Sequence, residues 1–408
     1  MHLIYNIGIQ LYGSILKIAA IFNPKAKNWI DGRKDFFLKL PEVTSSNVYW
    51  FHCASLGEFD QALPVMNLIK EQDSTIFILV TFFSPSGYLH YQKREHKADY
   101  VCYLPLDTPS NSRRFIAHFQ PKKAFFVKYE FWANYIFEAK NTNCKLYSIS
   151  SIFRKDHRFF KKYGSFFRSI LFQFEHLFIQ NEESAVLLNS IGITNYTITG
   201  DTRFDRVIEN KKNVKPNSII DNFLKDKKAF IIGSSWSKDE DIILPIINSS
   251  FLKSKFIIAP HSIDQNHIDQ IKKQITIPYV LYSELENGKK YNEERVLILN
   301  TIGNLANAYS YGDFAYVGGG FSGNLHNILE PAVFGLPVIF GPKHSRFPEG
   351  EMFIKNGIGF SVKDEIELKL SIDKINSEKE LLKQKTIAFV ESQKGASIKI
   401  INCLKGTI

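Results

Sequence analysis

The segment His52-Cys53-Ala54-Ser55-Leu56-Gly57-Glu58-Phe59 places a carboxylate just after a glycine and a serine, at the end of an apolar run. A carboxylate there suits a general base that takes a proton from an acceptor hydroxyl. Gly57 leaves room for a ligand in front of it. The start of a helix would favour the ionised form while limiting its basicity. Ser55 and Glu58 also have capping-box spacing, so the same residues have a purely structural reading. A second string, Lys128-Tyr129-Glu130-Phe131-Trp132-Ala133-Asn134, again follows an apolar run. Lys128 could bind an anionic group and Glu130 acceptor hydroxyls, or the two could form an ion pair at a buried edge. A third is basic: Arg154, Lys155, His157, Arg158, Lys161 and Lys162 alternate with Phe159, Phe160 and Tyr163. It reads as a helix, either a solvated face or a surface for a phosphorylated acceptor embedded in a membrane. It carries no recognised nucleic-acid-binding motif.

In the second half, Gly318 to Pro342 reads GGGFSGNLHNILEPAVFGLPVIFGP. It has the pattern of a strand, a polar turn, a short helix and a second strand. Gly319 and Gly320 would let the backbone approach an anion, with the N–H groups of a helix start behind them. Glu330 is placed to accept hydrogen bonds from sugar hydroxyls. A tight strand-to-helix turn with a solvated glutamate is the alternative. Three more turns follow strands: Gly233-Ser234-Ser235 before a helix containing Asp239, Pro260 and His261, and Ile302-Gly303-Asn304. Singly each is an ordinary loop; with Asn327 and Glu330 they outline one ligand pocket.

The elements that must position these groups are short apolar strands alternating with helices from Val48 onward, the pattern of a doubly wound α/β fold. Strands are expected at Val48–Cys53, Thr75–Phe82, Tyr100–Leu104, Lys123–Val127, Lys145–Ile149 and His176–Ile179. After a weak stretch around Thr199–Asp205 and a polar one at Lys211–Ser218, they resume. The second set is Ala229–Gly233, Lys255–Ala259, Tyr279–Tyr282, Val296–Asn300, Phe314–Val317, Leu336–Phe340 and Ile358–Val362. This gives two Rossmann-like domains, 41–210 and 211–408, facing a cleft, with a helical tail from Ser377 to Leu404 able to pack back. Residues 1–40 stand apart. Leu3 to Phe22 is apolar apart from Asn6, Gln10, Ser14 and Lys17, and basic residues follow. That composition points to a helix lying in a membrane interface with cations near acidic headgroups, or to an amphipathic helix packed on the body. The chain of 408 residues is 44% hydrophobic and 23% charged, with a formal net charge of +10, which favours an anionic partner. Its 4 cysteines form no C-x-x-C pair, so neither a metal site nor a disulfide framework is expected, and a reducing compartment is.

Taken in order, these strings resemble the Kdo (3-deoxy-D-manno-octulosonic acid) transferases of lipopolysaccharide assembly. The resemblance runs through the apolar N-terminus, Ser55-Leu56-Gly57-Glu58, Lys128 to Asn134, Thr199-Gly200-Asp201-Thr202-Arg203-Phe204-Asp205, Gly233-Ser234-Ser235 and Gly318–Pro342 with His326-Asn327-Ile328-Leu329-Glu330-Pro331. It implies a GT-B fold, a CMP-Kdo donor, and a lipid A precursor (lipid IVA) as acceptor at the cytoplasmic face of the bacterial inner membrane. No metal or other cofactor and no nucleic-acid partner is implied. Glu58 takes the place of the proton acceptor. Donor-binding positions fall on Pro260, His261, Ile302, Gly303, Asn304, Asn327, Ile328, Leu329 and Glu330. Ser55, Gly57, Lys128, Glu130, Arg154, Arg158, Ser234, Ser235, Gly319 and Gly320 are candidate anion or acceptor contacts. The chain departs from the family pattern twice. Pro260-His261-Ser262 lacks an arginine expected near the donor phosphate, and the turn before His326-Asn327 is one residue shorter. The departures imply that phosphate contacts are redistributed, onto His261 or Lys343. A UDP-sugar transferase or epimerase, and a non-catalytic glycolipid-binding protein, are the alternative readings.

Overall fold

The computed structural model describes residues 1–225 and 227–405. It divides into two compact units, Met1–Arg206 with the segment from Lys394 onward, and Val207–Gln393. The first holds strands β1 (Val48–Cys53), β2 (Phe77–Phe82), β3 (Tyr100–Tyr103), β4 (Lys123–Val127), β5 (Lys145–Ser151), β6 (His176–Ile179) and β7 (Tyr196–Ile198). Their order is β3-β2-β1-β4-β5-β6-β7, and every pair is parallel. A parallel sheet is covered on both faces, so its strands read as nearly continuous apolar runs. β1, Val-Tyr-Trp-Phe-His-Cys, is buried along its length apart from Tyr49. Trp50, Phe115, Phe126 and Tyr135 form the core on one face, and Phe51, Phe59, Phe125 and Tyr147 on the other. β7 was not expected. It is a half-exposed edge strand of three residues, too short to show a period.

The second unit holds β8 (Ala229–Ser235), β9 (Lys255–Pro260), β10 (Tyr279–Leu281), β11 (Val296–Ile298), β12 (Gly312–Val317), β13 (Val338–Phe340) and β14 (Gly359–Ser361). It too is all parallel, in the order β10-β11-β9-β8-β12-β13-β14. The winding reverses between β1 and β4 in the first sheet and between β8 and β12 in the second, where β11 also turns back to lie between β9 and β10. In such sheets a ligand crevice opens at that point, beyond the carboxyl ends of the strands.

The tail forms two helices, Lys379–Ser392 and Ala396–Lys405, broken at Gly395 with φ of 96°. Only the second belongs to the first unit. The unit division at Arg206 and this return differ from a simple split at residue 210. Ile400, Ile401 and Leu404 enter the core beside Phe59 and Leu63 of the helix Leu56–Gln72. The Thr199–Asp205 string is the clasp. Asp201 accepts from Gln61 Nε2 at 2.9 Å and Arg203 Nε at 2.8 Å, and Thr202 Oγ1 donates to the Gln61 carbonyl at 2.6 Å. The Asp205 carboxylate accepts from the backbone N–H of Gly395 at 2.6 Å and of Ser397 at 2.7 Å, capping the last helix from outside it.

The N-terminal helix His2–Ala19 docks on the first unit by one face. His2 Nε2 lies 2.9 Å from Asn134 Oδ1, Tyr5 OH donates to Asp107 at 2.5 Å, and Asn134 Nδ2 donates to Asn6 at 2.9 Å. A side chain at Gly13 would strike Leu106 at 2.6 Å, which fixes the close approach. Leu3, Ile4, Ile7, Leu11, Ile15 and Ile18 are exposed. Among the described residues no single helix is long and apolar enough to cross a membrane; His2–Ala19 and Pro24–Leu38 meet that measure only together, bent by 119°.

Removing the outside cap should loosen the last helix. Asp205→Ala should lower the unfolding free energy by about 1–3 kcal/mol, read as a lower urea midpoint, and Asp205→Asn, which keeps one acceptor, by less. An unchanged midpoint in both would show that the cap contributes nothing.

Candidate functional site

Glu58 sits in the first turn of the helix that leaves β1, at the winding reversal of the first sheet. Its Oε2 accepts from the Ser55 N–H at 3.1 Å, so the carboxylate does half the work of a capping box, and it is only 8% exposed. Gly57 faces open space, with nothing within 4 Å of where a side chain would begin. Burial and the neighbouring Glu130 push Glu58 up to about 7, against the pull of Lys128 and of the Ala54 and Ser55 N–H groups. The expectation that a helix start would limit its basicity is corrected here: desolvation outweighs the dipole and the hydrogen bonds. Glu130 is raised as well, by burial, and Lys128 opposes the shift.

Lys128 and Glu130 follow β4, the other strand of the reversal. Lys128 has φ of 59°, in the left-handed region, where a non-glycine residue costs on the order of 1–3 kcal/mol. Its N–H donates to the Ile149 carbonyl at 2.9 Å, and its own carbonyl accepts from Ser151 Oγ. The backbone thus breaks sharply out of the strand. The rest of the string is structural. Trp132 Nε1 donates to His52 Nε2 at 3.0 Å, and His52 Nδ1 pairs with Thr81 Oγ1 at 2.9 Å. The indole donor requires an unprotonated Nε2, so His52 is neutral, and burial holds it down at about 3. Asn134 binds the N-terminal helix. Sequence reasoning missed His52 because a histidine inside an apolar strand carries no outward signal.

The basic run from Arg154 to Lys162 is corrected from helix to loop, with one 3-10 turn at Arg158–Phe160. Phe153 is buried in the core, and Phe159 and Phe160 pack against it from the loop. Any side chain at Gly164 would collide with the Arg158 carbonyl at 2.0 Å. The loop packs on the β4 turn, with the His157 ring 5.0 Å from Tyr129 and Phe159 5.9 Å from Phe131. Arg158 lies over Phe167 at 5.4 Å.

In the second unit the expected donor positions all lie at or beyond carboxyl ends of strands: Pro260 ends β9 and His261 follows it, Ile302 to Asn304 come after β11, and Asn327 to Glu330 after β12. Asn327 Oδ1 accepts from the Leu329 N–H at 3.1 Å and its Nδ2 donates to Glu330 at 3.2 Å, shaping the one-turn helix Leu329–Ala332. Ile328 and Leu329 are fully buried. Ile302 is exposed, Gly303 has φ of 100°, and Asn304 Nδ2 donates to Thr301 Oγ1 at 2.8 Å.

The glycines have another use than the one expected. Side chains at Gly318, Gly319 and Gly320 would strike the Ser234 carbonyl at 2.2 Å, the Asn324 carbonyl at 2.1 Å and the Gly341 N at 2.5 Å. They let backbone cross backbone. The Gly319 N–H donates to Asp239 at 3.0 Å, and Asp239 also accepts from the Trp236 N–H at 3.0 Å and Tyr316 OH at 2.8 Å. Ser235 belongs to β8, is fully buried, and donates to Glu240 at 2.8 Å. Ser235, Gly319 and Gly320 are therefore taken up within the protein, and the helix opens at Ser237 rather than in the Gly-Ser-Ser turn. Ser234, with φ of 53°, is half-exposed. Trp236 and His326, not singled out from sequence, stand beside His261. Among the described residues no group of three or more His, Cys, Asp or Glu side chains is arranged to hold a metal.

Residues 31–206 match the family model of the 3-deoxy-D-manno-octulosonic-acid transferases (kdotransferases). A bifunctional glycosyltransferase/methyltransferase of Fusobacterium nucleatum is 27% identical over 93% of this chain, which spans 59% of that protein's length. The 3-deoxy-D-manno-octulosonic acid transferase of Rickettsia prowazekii is 26% identical over 90% of this chain and 82% of its own. That of Aquifex aeolicus is 28% identical over 86% and 92%. The resemblance to Kdo transferases is thus shown. In fold, UDP-GlcNAc 2-epimerase of Neisseria meningitidis superposes with a TM-score of 0.64 at 15% identity, covering 88% of this chain and 99% of that one. The fold is GT-B.

The raised carboxyl has a thermodynamic signature. Its folded value of about 7 lies above the ordinary 4.5, so the stability tied to the protonated form is complete below pH 4.5 and lost as pH rises through 7. Glu58→Gln should match the parent in Tm near pH 4 and exceed it by a few degrees at pH 8. An equal shift at both pH values would overturn this electrostatic account.

Proposed function

We propose that this relative of the Kdo transferases is itself a glycosyltransferase that moves Kdo from CMP-Kdo to a phosphorylated lipid A precursor, lipid IVA, in lipopolysaccharide synthesis. The observation that carries the reading is Glu58, buried at the winding reversal of the family-matched unit and raised to about 7 between Glu130 and Lys128. A base with that affinity is half ionised near neutral pH and strong enough to take a proton from a sugar hydroxyl. In the proposed step the hydroxyl oxygen attacks the anomeric carbon of Kdo as its proton passes to Glu58. The bond from that carbon to the phosphate oxygen breaks, CMP departs with the electron pair, and configuration inverts. Lys128 and the Arg154–Lys162 loop would face the anionic acceptor. The donor would lie along the carboxyl ends of β9, β11 and β12.

The same reading has the protein attached to the cytoplasmic face of the inner membrane through its N-terminal helix. The exposed row from Leu3 to Ile18 supports it. So does a cavity of about 610 Å³ beside that helix, where Lys17, Arg33, Lys34 and Arg114 stand among Trp29, Phe36, Phe37 and Leu38. Arg33 is half-buried, 3.8 Å over the Trp29 ring, and its Nη2 donates to the Phe83 carbonyl at 2.7 Å. Cations set in apolar walls suit a phosphorylated amphiphile.

Purified protein with CMP-Kdo and lipid IVA should release CMP and add Kdo to the lipid, and Glu58→Ala should lower kcat by about 10²–10⁴-fold. The acid limb of kcat/KM should inflect near 7, move down in Glu130→Gln, and move up in Lys128→Met. Parent-like activity in Glu58→Ala, or an inflection unmoved in both neighbours, removes Glu58 from its role. Ile7→Asp with Leu11→Asp should weaken flotation with anionic vesicles; undiminished flotation would count against attachment through this helix.

A further inference from the structure

Three rings meet at the winding reversal of the second sheet. Trp236 follows β8, His261 follows β9, and His326 lies in the loop after β12. The Trp236 and His261 rings stack 4.1 Å apart at 22°, and His261 lies 4.6 Å from His326 at 32°. Trp236 is 41% exposed, with its ring against His261 in the stack. Its Nε1 donates to His326 Nε2 at 3.2 Å. That nitrogen is therefore unprotonated, and the His326 proton sits on Nδ1. Among the described residues no hydrogen bond engages His326 Nδ1 or either ring nitrogen of His261.

The surrounding charges do not complete the pair. Glu240 is committed to His267, at 2.9 Å, and to Ser235. Asp239 is occupied by Gly319, Trp236 and Tyr316. Asp264 accepts from Ser262 and from the His267 N–H at 3.0 Å. Glu330 accepts from Asn327. His267 disfavours a positive His261, and His261 disfavours a positive His326, each after burial as the larger cause. Among the described residues no carboxylate is paired with either imidazole, so the counter-charge for a protonated ring would come from a ligand.

We propose that Trp236, His261 and His326 form an anion clamp in which an imidazole takes up a proton as the phosphate of a nucleotide binds. This rests on the nucleotide-donor reading above and deepens it. A proton captured at the moment of binding supplies a positive charge that the three rings do not carry beforehand. The bound anion raises the affinity of the imidazole for its proton, and the imidazolium donates an N–H to the anionic oxygen. The stacked indole holds His261 in place. The sugar carboxylate of the donor offers the same anionic oxygen, and the test separates the two.

Calorimetric titration of the full-length protein with CMP, in buffers of different ionisation enthalpy near pH 7, should show net proton uptake. Affinity should fall up to about tenfold per pH unit on the alkaline side. His261→Ala should reduce both the uptake and the affinity, whereas His261→Arg should retain affinity and lose its pH dependence. CMP binding without proton uptake, unchanged in His261→Ala, would overturn the clamp. Uptake on titration with free Kdo but none with CMP would overturn the phosphate assignment in favour of the carboxylate. If UDP binds and CMP does not, the donor reading falls, and the same linkage measured with UDP decides the clamp. Binding of neither nucleotide would overturn both.

Discussion

Every strand in both sheets runs parallel to its neighbours, and the rest of the molecule follows from that. A parallel pair cannot close with a hairpin, so each strand must be followed by a crossover that returns the chain to the starting edge. All the turns leaving the strands then collect on one edge of each sheet, and their side chains can be varied without touching the core. Glu58 and Lys128 come from β1 and β4, which are neighbours in space but are separated by three crossovers in sequence. Trp236, His261 and His326 meet in the same way. Apolar burial on both sheet faces fixes the strands, and the strands fix where polar groups can meet.

Within that frame the first unit sets like charges against each other. Glu58 and Glu130 both lose water, and neither gains a full salt bridge, because Lys128 is the one cation acting on both. The left-handed backbone at Lys128 and the short, largely buried start of the Glu58 helix hold this arrangement in place. Their support comes from far along the chain: Trp132 locks onto His52, Gln61 onto Asp201 and Thr202. A carboxylate of unusual basicity thus depends on hydrogen bonds that do not involve its own oxygens. The second unit differs in kind. Its acids, Asp239 and Glu240, are fully engaged in shaping turns, and its imidazoles are left uncommitted.

The strands were legible because burial on both faces leaves apolar runs that need no partner to be recognised. β7 was not, since a half-exposed edge strand obeys no such constraint. Glu58, Lys128 and Glu130 stood out because charge at the end of an apolar run is rare. The glycine run was legible as a tight turn, but its occupant was not: a glycine accommodating a neighbouring backbone looks the same in sequence as one accommodating a phosphate. The basic run misled for a related reason, its aromatic residues pointing into the core from a loop. Trp236 and His326 gave no signal because their meaning lies in a stack across three loops. His52 and Asn134 hold elements that are more than seventy residues apart, a distance no local pattern can reach.

The return of the last helix to the first unit has a consequence in time. Synthesis proceeds from the amino end, so β1, the Glu58 helix and all of the first sheet leave the ribosome long before Ile400, Ile401 and Leu404 exist. Until then Phe59 and Leu63 lack one wall of their core, and Asp205 waits with a carboxylate and nothing to cap. The second unit is made entirely within that interval. The unit that starts first is completed only after the second has been made, and a nascent chain carries the Glu58 carboxylate on an unbraced helix until Ile400, Ile401 and Leu404 arrive.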